Sequence, residues 1–199
     1  MIKYYFKSLR SEAIRELEAA KPGTWIHVES PTEEELVLLA DRFNLERGYL
    51  EDAVDEDEVP RLEREGEQSY MFVRYAYRNN EGDMDTAPLL IMFDSSVVMT
   101  VSSTKLPAAE ALLKGRVNFA TTQRTKLILL ILSHISDQYD QLVSQTSRDI
   151  KAIRSRLRGQ GITKQDLIDF VTIEDELNEF LSSLLPTNAA LRRLLAGKQ

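Results

Sequence analysis

The chain has 199 residues, 43% apolar and 29% charged, with a formal net charge of −7, a balance that belongs to a globular protein and not to a disordered one. It has no cysteine and only two histidines, His27 and His134, which excludes disulfides, thiolate metal centres, cysteine nucleophiles and any multi-histidine zinc site within one subunit. The acidic balance argues against a dedicated nucleic-acid binder and leaves cations and basic surfaces as natural partners.

Met1–Phe6 lacks the apolar stretch and cleavage site of a signal peptide, and Ile2–Phe6 reads as a short strand. Ser11–Ala20 predicts a helix, with Ile14 and Leu17 three apart. Pro22 and Gly23 mark a turn. Thr24–Glu29 then alternates, Trp25 and His27 on one face and Ile26 and Val28 on the other, the pattern of a strand. Ser30-Pro31-Thr32-Glu33 predicts a helix start, with Ser30 as N-cap, Pro31 at the first helical position and Glu33 as the capping-box partner. That helix would bury Leu36, Leu39, Ala40 and Phe43. A second short helix, from Glu46 to about Asp55, would turn Tyr49, Leu50 and Ala53 inward.

Tyr70–Arg78 alternates as an aromatic strand, followed by a hairpin turn over Asn79–Asp83. Leu89–Phe93 and Val97–Val101 form a further strand pair around Asp94-Ser95-Ser96, and Pro107 opens a short helix through Leu113. From about Thr122 the period changes. Ile135, Tyr139, Leu142, Thr146, Ile150, Ile153 and Leu157 step by three and four, the stripe of one long helix, which Gly159 and Gly161 are expected to break. Thr163 with Asp166 caps a second long helix carrying Leu167, Val171, Leu177, Leu181, Leu184 and Leu191, with a kink or restart at Pro186. Two such helices joined by a short glycine turn pack antiparallel. The organisation is therefore an α/β domain over residues 1–120 and a helical hairpin over 121–199. The longest aliphatic run, Leu127–Leu132, is far short of the roughly 20 residues of a membrane span. The apolar pattern is still running at Leu194 and Leu195, so the natural chain is expected to continue past Gln199.

Chemistry-bearing motifs are few. Glu51, Asp52, Asp55, Glu56, Asp57 and Glu58 place six carboxylates in eight residues. On a helix Asp52 shares a face with Asp55 and Glu56, a repulsion that a hard cation such as Mg²⁺ would relieve with oxygen ligands and retained waters. A solvated acidic turn explains the same residues. His27 and His134 read as structural. The aromatics Tyr70, Phe72, Tyr75 and Tyr77 read as core, since a base-stacking sheet would carry basic residues beside them. Phosphate-loop, dinucleotide and nucleophile-elbow motifs are absent, and no carboxylate pair has an acid/base partner, so the chain is not expected to be an enzyme.

Taken in order, Trp25-Ile26-His27-Val28, Pro31-Thr32 with Glu34-Glu35-Leu36, Phe43-Asn44-Leu45, Leu50-Glu51-Asp52-Ala53, and Pro60-Arg61 with Glu63 closely resemble the cytoplasmic domain of the CorA family of Mg²⁺ transporters. The resemblance spans nearly the whole chain. It implies an α/β/α sandwich with a mixed, largely antiparallel sheet, followed by the long antiparallel hairpin. It also implies a pentamer whose stalk and pore helices lie beyond this chain, placed at the cytoplasmic face of the membrane. By position Asp52, with Glu51 beside it, would be the carboxylates of a regulatory divalent-cation site between subunits, completed by a carboxylate of a neighbour's stalk. Glu58-Val59-Pro60-Arg61 departs from the Gln-Arg-Pro-Lys of many members. A zinc- or proton-coupled relative of the ZntB type, or an interaction module with no transport role, fits the same residues.

Overall fold

In the computed structural model, which describes residues 1–79, 82, 84–115, 117–160 and 162–196, the elements run β1 (Ile2–Phe6), β2 (Arg15–Leu17), β3 (Trp25–Glu29), α1 (Glu33–Phe43), α2 (Arg47–Asp52), β4 (Arg61–Glu65), β5 (Gln68–Arg78), β6 (Met84–Phe93), β7 (Val98–Ser102), α3 (Pro107–Leu113), α4 (Arg124–Gln160) and α5 (Lys164–Leu195). The strands form one seven-stranded sheet in the order β2-β1-β3-β7-β6-β5-β4. Only β3 and β7 pair in parallel, with Trp25 opposite Val98 and His27 opposite Thr100. The other neighbours are antiparallel, so the sheet is mixed and largely antiparallel, as expected.

Both faces of the sheet are covered, which is why Trp25, Ile26, His27 and Val28 are all buried. Their alternation sorts them between two cores. Ile26 and Val28 join Leu36, Leu39, Leu50, Ala53, Tyr70 and Phe72 under α1 and α2. Trp25 joins Tyr5, Met71, Tyr75, Leu112, Leu127, Ile131, Tyr139 and Phe180 under α3, α4 and α5. The aliphatic run Leu127–Leu132 belongs to this second core, with Leu127 and Ile131 fully buried. No helix among the described residues is long and apolar enough to cross a membrane.

Several local expectations are corrected. Ser11–Ala20 is no helix: its centre is β2, an edge strand that pairs Tyr4 with Leu17 and Phe6 with Arg15. The free edge of β1 decides the conformation that local propensity did not. The charged segment Arg61–Glu65, unpredicted, is the opposite edge strand, pairing with β5. Charged side chains suit an edge because they face water and discourage pairing with another chain. The N-cap of α1 is Thr32, with Glu35 completing the capping box, two residues later than Ser30 and Glu33. Ser30 has φ 44°, and its hydroxyl instead donates to the Ser103 carbonyl. Thr163 and Asp166 cap α5 as expected, through a reciprocal capping box.

The stripe of α4 is as expected: Ile135, Tyr139, Thr146 and Ile153 are buried. Gly159 lies within the helix and does not end it, while Gly161 falls outside the described residues, as do Asn80, Glu81 and Asp83 of the expected hairpin turn. In α5 the inward face is the other one. Asp166, Ile173, Phe180, Ser183, Thr187 and Ala190 are buried, whereas Leu167, Val171, Leu177, Leu181 and Leu184 are exposed. Of the expected stripe, Leu191 alone packs against the core. The helix runs unbroken across Pro186.

Candidate cation site on the acidic segment

The acidic segment is positioned from below. Leu50 and Ala53 are fully buried and pin α2 to the sheet, while the Tyr49 ring lies 4.4 Å from that of Tyr70. The two anchors are three positions apart, and Glu51 and Asp52, between them, are left facing outward. Their side chains are 50% and 38% exposed. The helix stops at Asp52, earlier than the expected Asp55. Successive turns follow, Asp55 N–H donating to the Asp52 carbonyl at 3.2 Å and Glu58 N–H to the Asp55 carbonyl at 3.1 Å. The shared helical face of Asp52, Asp55 and Glu56 is therefore not formed. Asp55 Oδ1 instead accepts the Asp57 N–H.

Each candidate carboxylate already has a cationic neighbour. Arg47 Nε–H donates to Glu51 Oε1 at 2.6 Å, and its Nη2 lies 3.2 Å from Glu33 Oε1. Arg61 opens β4 opposite Phe72 and lays its guanidinium over that ring at 4.2 Å. From there Nη2 reaches Asp52 Oδ2 at 2.5 Å, Nη1 pairs with Glu58, and Nε lies 3.8 Å from Glu63 Oε1.

Sequence reasoning missed a second arginine. Arg74, on β5, is 13% exposed. Its Nη1 donates to the carbonyls of Glu56 (2.7 Å) and Glu58 (3.1 Å). Its Nε and Nη2 donate to Thr86 Oγ1 and O, and Nη2 lies 3.7 Å from Glu179 of α5. Thr86 Oγ1 contacts Glu179 and lies 3.0 Å from Ser183 Oγ. A cleft of about 210 Å³ separates the acidic segment from α5 at this point, lined by Glu58, Pro60, Arg74 and Glu179 among others. An arginine at an alternating strand position was the only signal the sequence carried for this clamp.

His27 is structural. It is 3% exposed. Trp25 Nε1–H donates to Thr100 Oγ1 at 3.0 Å, that oxygen lies 3.0 Å from His27 Nδ1, and His27 Nε2 faces Glu29 Oε1 at 3.1 Å. The Glu29 oxygen also accepts the Leu106 N–H. Burial alone would raise the Glu29 pKa, but the bonds from His27 and Leu106 outweigh it and the net direction is down. His134 is half-buried on α4.

A mixed sheet covered on both faces by helices and extended by two long helices is the architecture of a known class of proteins. The model of the CorA-like Mg²⁺ transporter protein family matches residues 21–199, and the chain belongs to that family. Among curated proteins it is similar to the cobalt/magnesium transport protein CorA of Methanocaldococcus jannaschii, 24% identical over 176 residues. That match covers 84% of this chain and 53% of the relative, so the chain spans about half the length of the curated relative it matches. The solved structure of the soluble domain from the same organism superposes with a TM-score of 0.83 at 20% identity, covering 98% of this chain and 78% of that one. The cytoplasmic domain of ZntB from Vibrio parahaemolyticus gives 0.76 at 11% identity, covering 98% and 79%. At these identities the likeness is one of fold.

The donors fit Mg²⁺ in kind and fall short in number. Carboxylate oxygens are the ligands this ion takes, with waters completing an octahedron. Among the described residues, no group of three or more His, Cys, Asp or Glu side chains is placed to hold a metal. The described residues offer at most part of a site.

Proposed function

We propose that this chain is the cytoplasmic, regulatory portion of a CorA-like divalent-cation transporter, and that Asp52, with Glu51 as accessory, senses intracellular Mg²⁺ at a site shared between subunits. The observation that carries the reading is the placement of Leu50-Glu51-Asp52: the leucine is fully buried and the two carboxylates face outward, 50% and 38% exposed. Facing carboxylates across an interface repel, and a bound divalent cation turns that repulsion into a bridge favouring the closed assembly. About 1–3 kcal/mol of coupling per bridge suffices. The exposed apolar side of α5, with Leu167, Val171, Leu181 and Leu185, supports assembly, since such surface is normally covered. Membrane attachment and the pore belong to segments outside this chain.

The test is Asp52→Asn in the full-length transporter. Mg²⁺-dependent protection from proteolysis should require several-fold more Mg²⁺ than in the wild type, and an unchanged midpoint would refute the role of Asp52. The likeness to ZntB motivates a second reading, zinc as cargo. Flux measured with Mg²⁺ and with Zn²⁺ separates the two, a zinc-only flux favouring the second.

A further inference from the structure

Asp52, the carboxylate best placed to meet a metal, is already engaged by a cation of its own chain. We propose that Arg61 is a tethered counter-ion that holds Asp52 when the divalent cation is absent and is displaced from it when the cation arrives, so that binding is an exchange and not an addition. The inference rests on the reading of Asp52 as a cation ligand.

Three features of the Arg61 environment carry it. The guanidinium is held in place independently of Asp52, by the β4–β5 register opposite Phe72 and by the aromatic ring 4.2 Å beneath it; stacking of this kind is a guanidinium property that an ammonium shares only in part. It faces carboxylates from three places in the fold: Asp52 at the end of α2, Glu58 in the turn before Pro60, and Glu63 on β4. One guanidinium against three carboxylates leaves two negative charges uncompensated, the charge of one divalent cation.

The order of release follows from exposure. Glu63 is 42% exposed but 3.8 Å away; of the two close pairs, Glu58 is 11% exposed and Asp52 38%, so the Arg61–Asp52 pair is the close one that solvent and a hydrated ion reach. Mg²⁺ keeps most of its waters and needs only one or two protein oxygens. It can therefore take Asp52 from the solvent side while Arg61 settles on Glu58 and Glu63. The guanidinium competes with the ion for the Asp52 carboxylate and so raises the cation concentration at which the site fills.

The test is titration of the 199-residue chain with MgCl₂ at low ionic strength, followed by calorimetry and by ¹⁵N spectra of arginine side chains. Arg61→Gln should bind Mg²⁺ about fivefold more tightly than the wild type, and Arg61→Lys should fall between them. Arg47→Gln removes the same charge from Glu51 and should change affinity by less than about twofold. In the wild type the Arg61 Nε–H resonance should shift in step with the Asp52 amide. Should Arg61→Gln fail to fold, by circular dichroism, then Arg61→Lys and the Arg61 resonance decide. The exchange is overturned if Arg61→Gln binds no better than the wild type, if neither binds, if Arg47→Gln tightens binding equally, or if the Arg61 resonance stays fixed while that of Asp52 moves. The reading beneath it is tested separately. If Asp52→Asn binds as the wild type does, Asp52 is not a ligand; if Asp52→Asn loses the ion while Arg61→Gln gains nothing, the exchange alone fails.

Discussion

Arg74 distributes one guanidinium over three parts of the fold: two carbonyls of the acidic segment, both oxygens of Thr86 on β6, and Glu179 of α5. Backbone carbonyls in a turn have no ladder partner, and leaving the part-buried Glu58 carbonyl unsatisfied is costly. Arg74→Met keeps the stem and removes every donor. It should destabilise the chain by about 3 kcal/mol, measured by urea unfolding, and should loosen amide exchange over Asp55–Glu58 before it affects the sheet. A loss below about 0.5 kcal/mol would mean that water replaces the arginine without penalty. In the Trp25–Thr100–His27 chain, by contrast, each side-chain polar atom has a partner, the last of them Glu29 at the edge of the core. His27 was legible as structural because it alternates with apolar neighbours on a strand. Its partner Thr100 was not, because the parallel pairing of β3 with β7 joins residues 73 apart.

At the scale of elements, α5 is the instructive case. Its apolar residues outnumber those of one stripe, so the periodicity offers two seams, and counting leucines selects the one that lies outside. The inward seam is Ile173 and Phe180 with the small or polar Ser183, Thr187 and Ala190. These fit because the helix lies close to β5 and β6, and because Ser183 and Thr86 exchange a hydrogen bond there. The two faces should respond differently to substitution. Phe180 is 2% exposed and meets Tyr139 edge-on at 5.5 Å. Phe180→Ala should cost about 3–4 kcal/mol, whereas Leu181→Ser, one residue along, should change the stability of the monomeric chain by less than about 0.5 kcal/mol. Similar losses at both positions, in thermal or urea unfolding, would refute this assignment of faces. The edge strands β2 and β4 were illegible for a related reason. Each is short, and neither carries an alternating apolar face, so only the unpaired backbone of β1 and β5 makes them strands.

Across the whole molecule, α4 leaves the sheet and α5 returns to it, so the hairpin roofs the same core that holds Trp25 and Tyr75. Two phenols mark how dry that core is. Burial pushes the Tyr75 hydroxyl up to about 12, against relief from its bonds to Thr104 and Ser102. Burial does the same to Tyr139, with partial relief from Ser183 and Arg74. A pKa raised in the folded state means that the folded chain binds the proton more tightly than the unfolded chain. The associated stability is complete below pH 10, the ordinary tyrosine value, and is lost as pH rises through about 12. Absorbance at an alkaline tyrosine band should therefore show two phenols titrating late and together with unfolding, and Tyr139→Phe should remove one of them. Two phenols titrating normally near pH 10 in a folded chain would show that water reaches these sites.

By itself the sequence determined the class of fold, the central strands, the inward faces of α1 and α4, the capping box of α5 and the family, because each of these is written in local spacing or in ordered motifs. The tertiary structure decided which seam of α5 faces in, where the sheet ends, and what surrounds Asp52. Those outcomes depend on contacts between elements: α5 meets β6 where Ser183 faces Thr86, the outer strands form on the unpaired backbone of β1 and β5, and Arg61 and Arg74 are brought to the acidic segment from β4 and β5 by a strand register that no local pattern encodes.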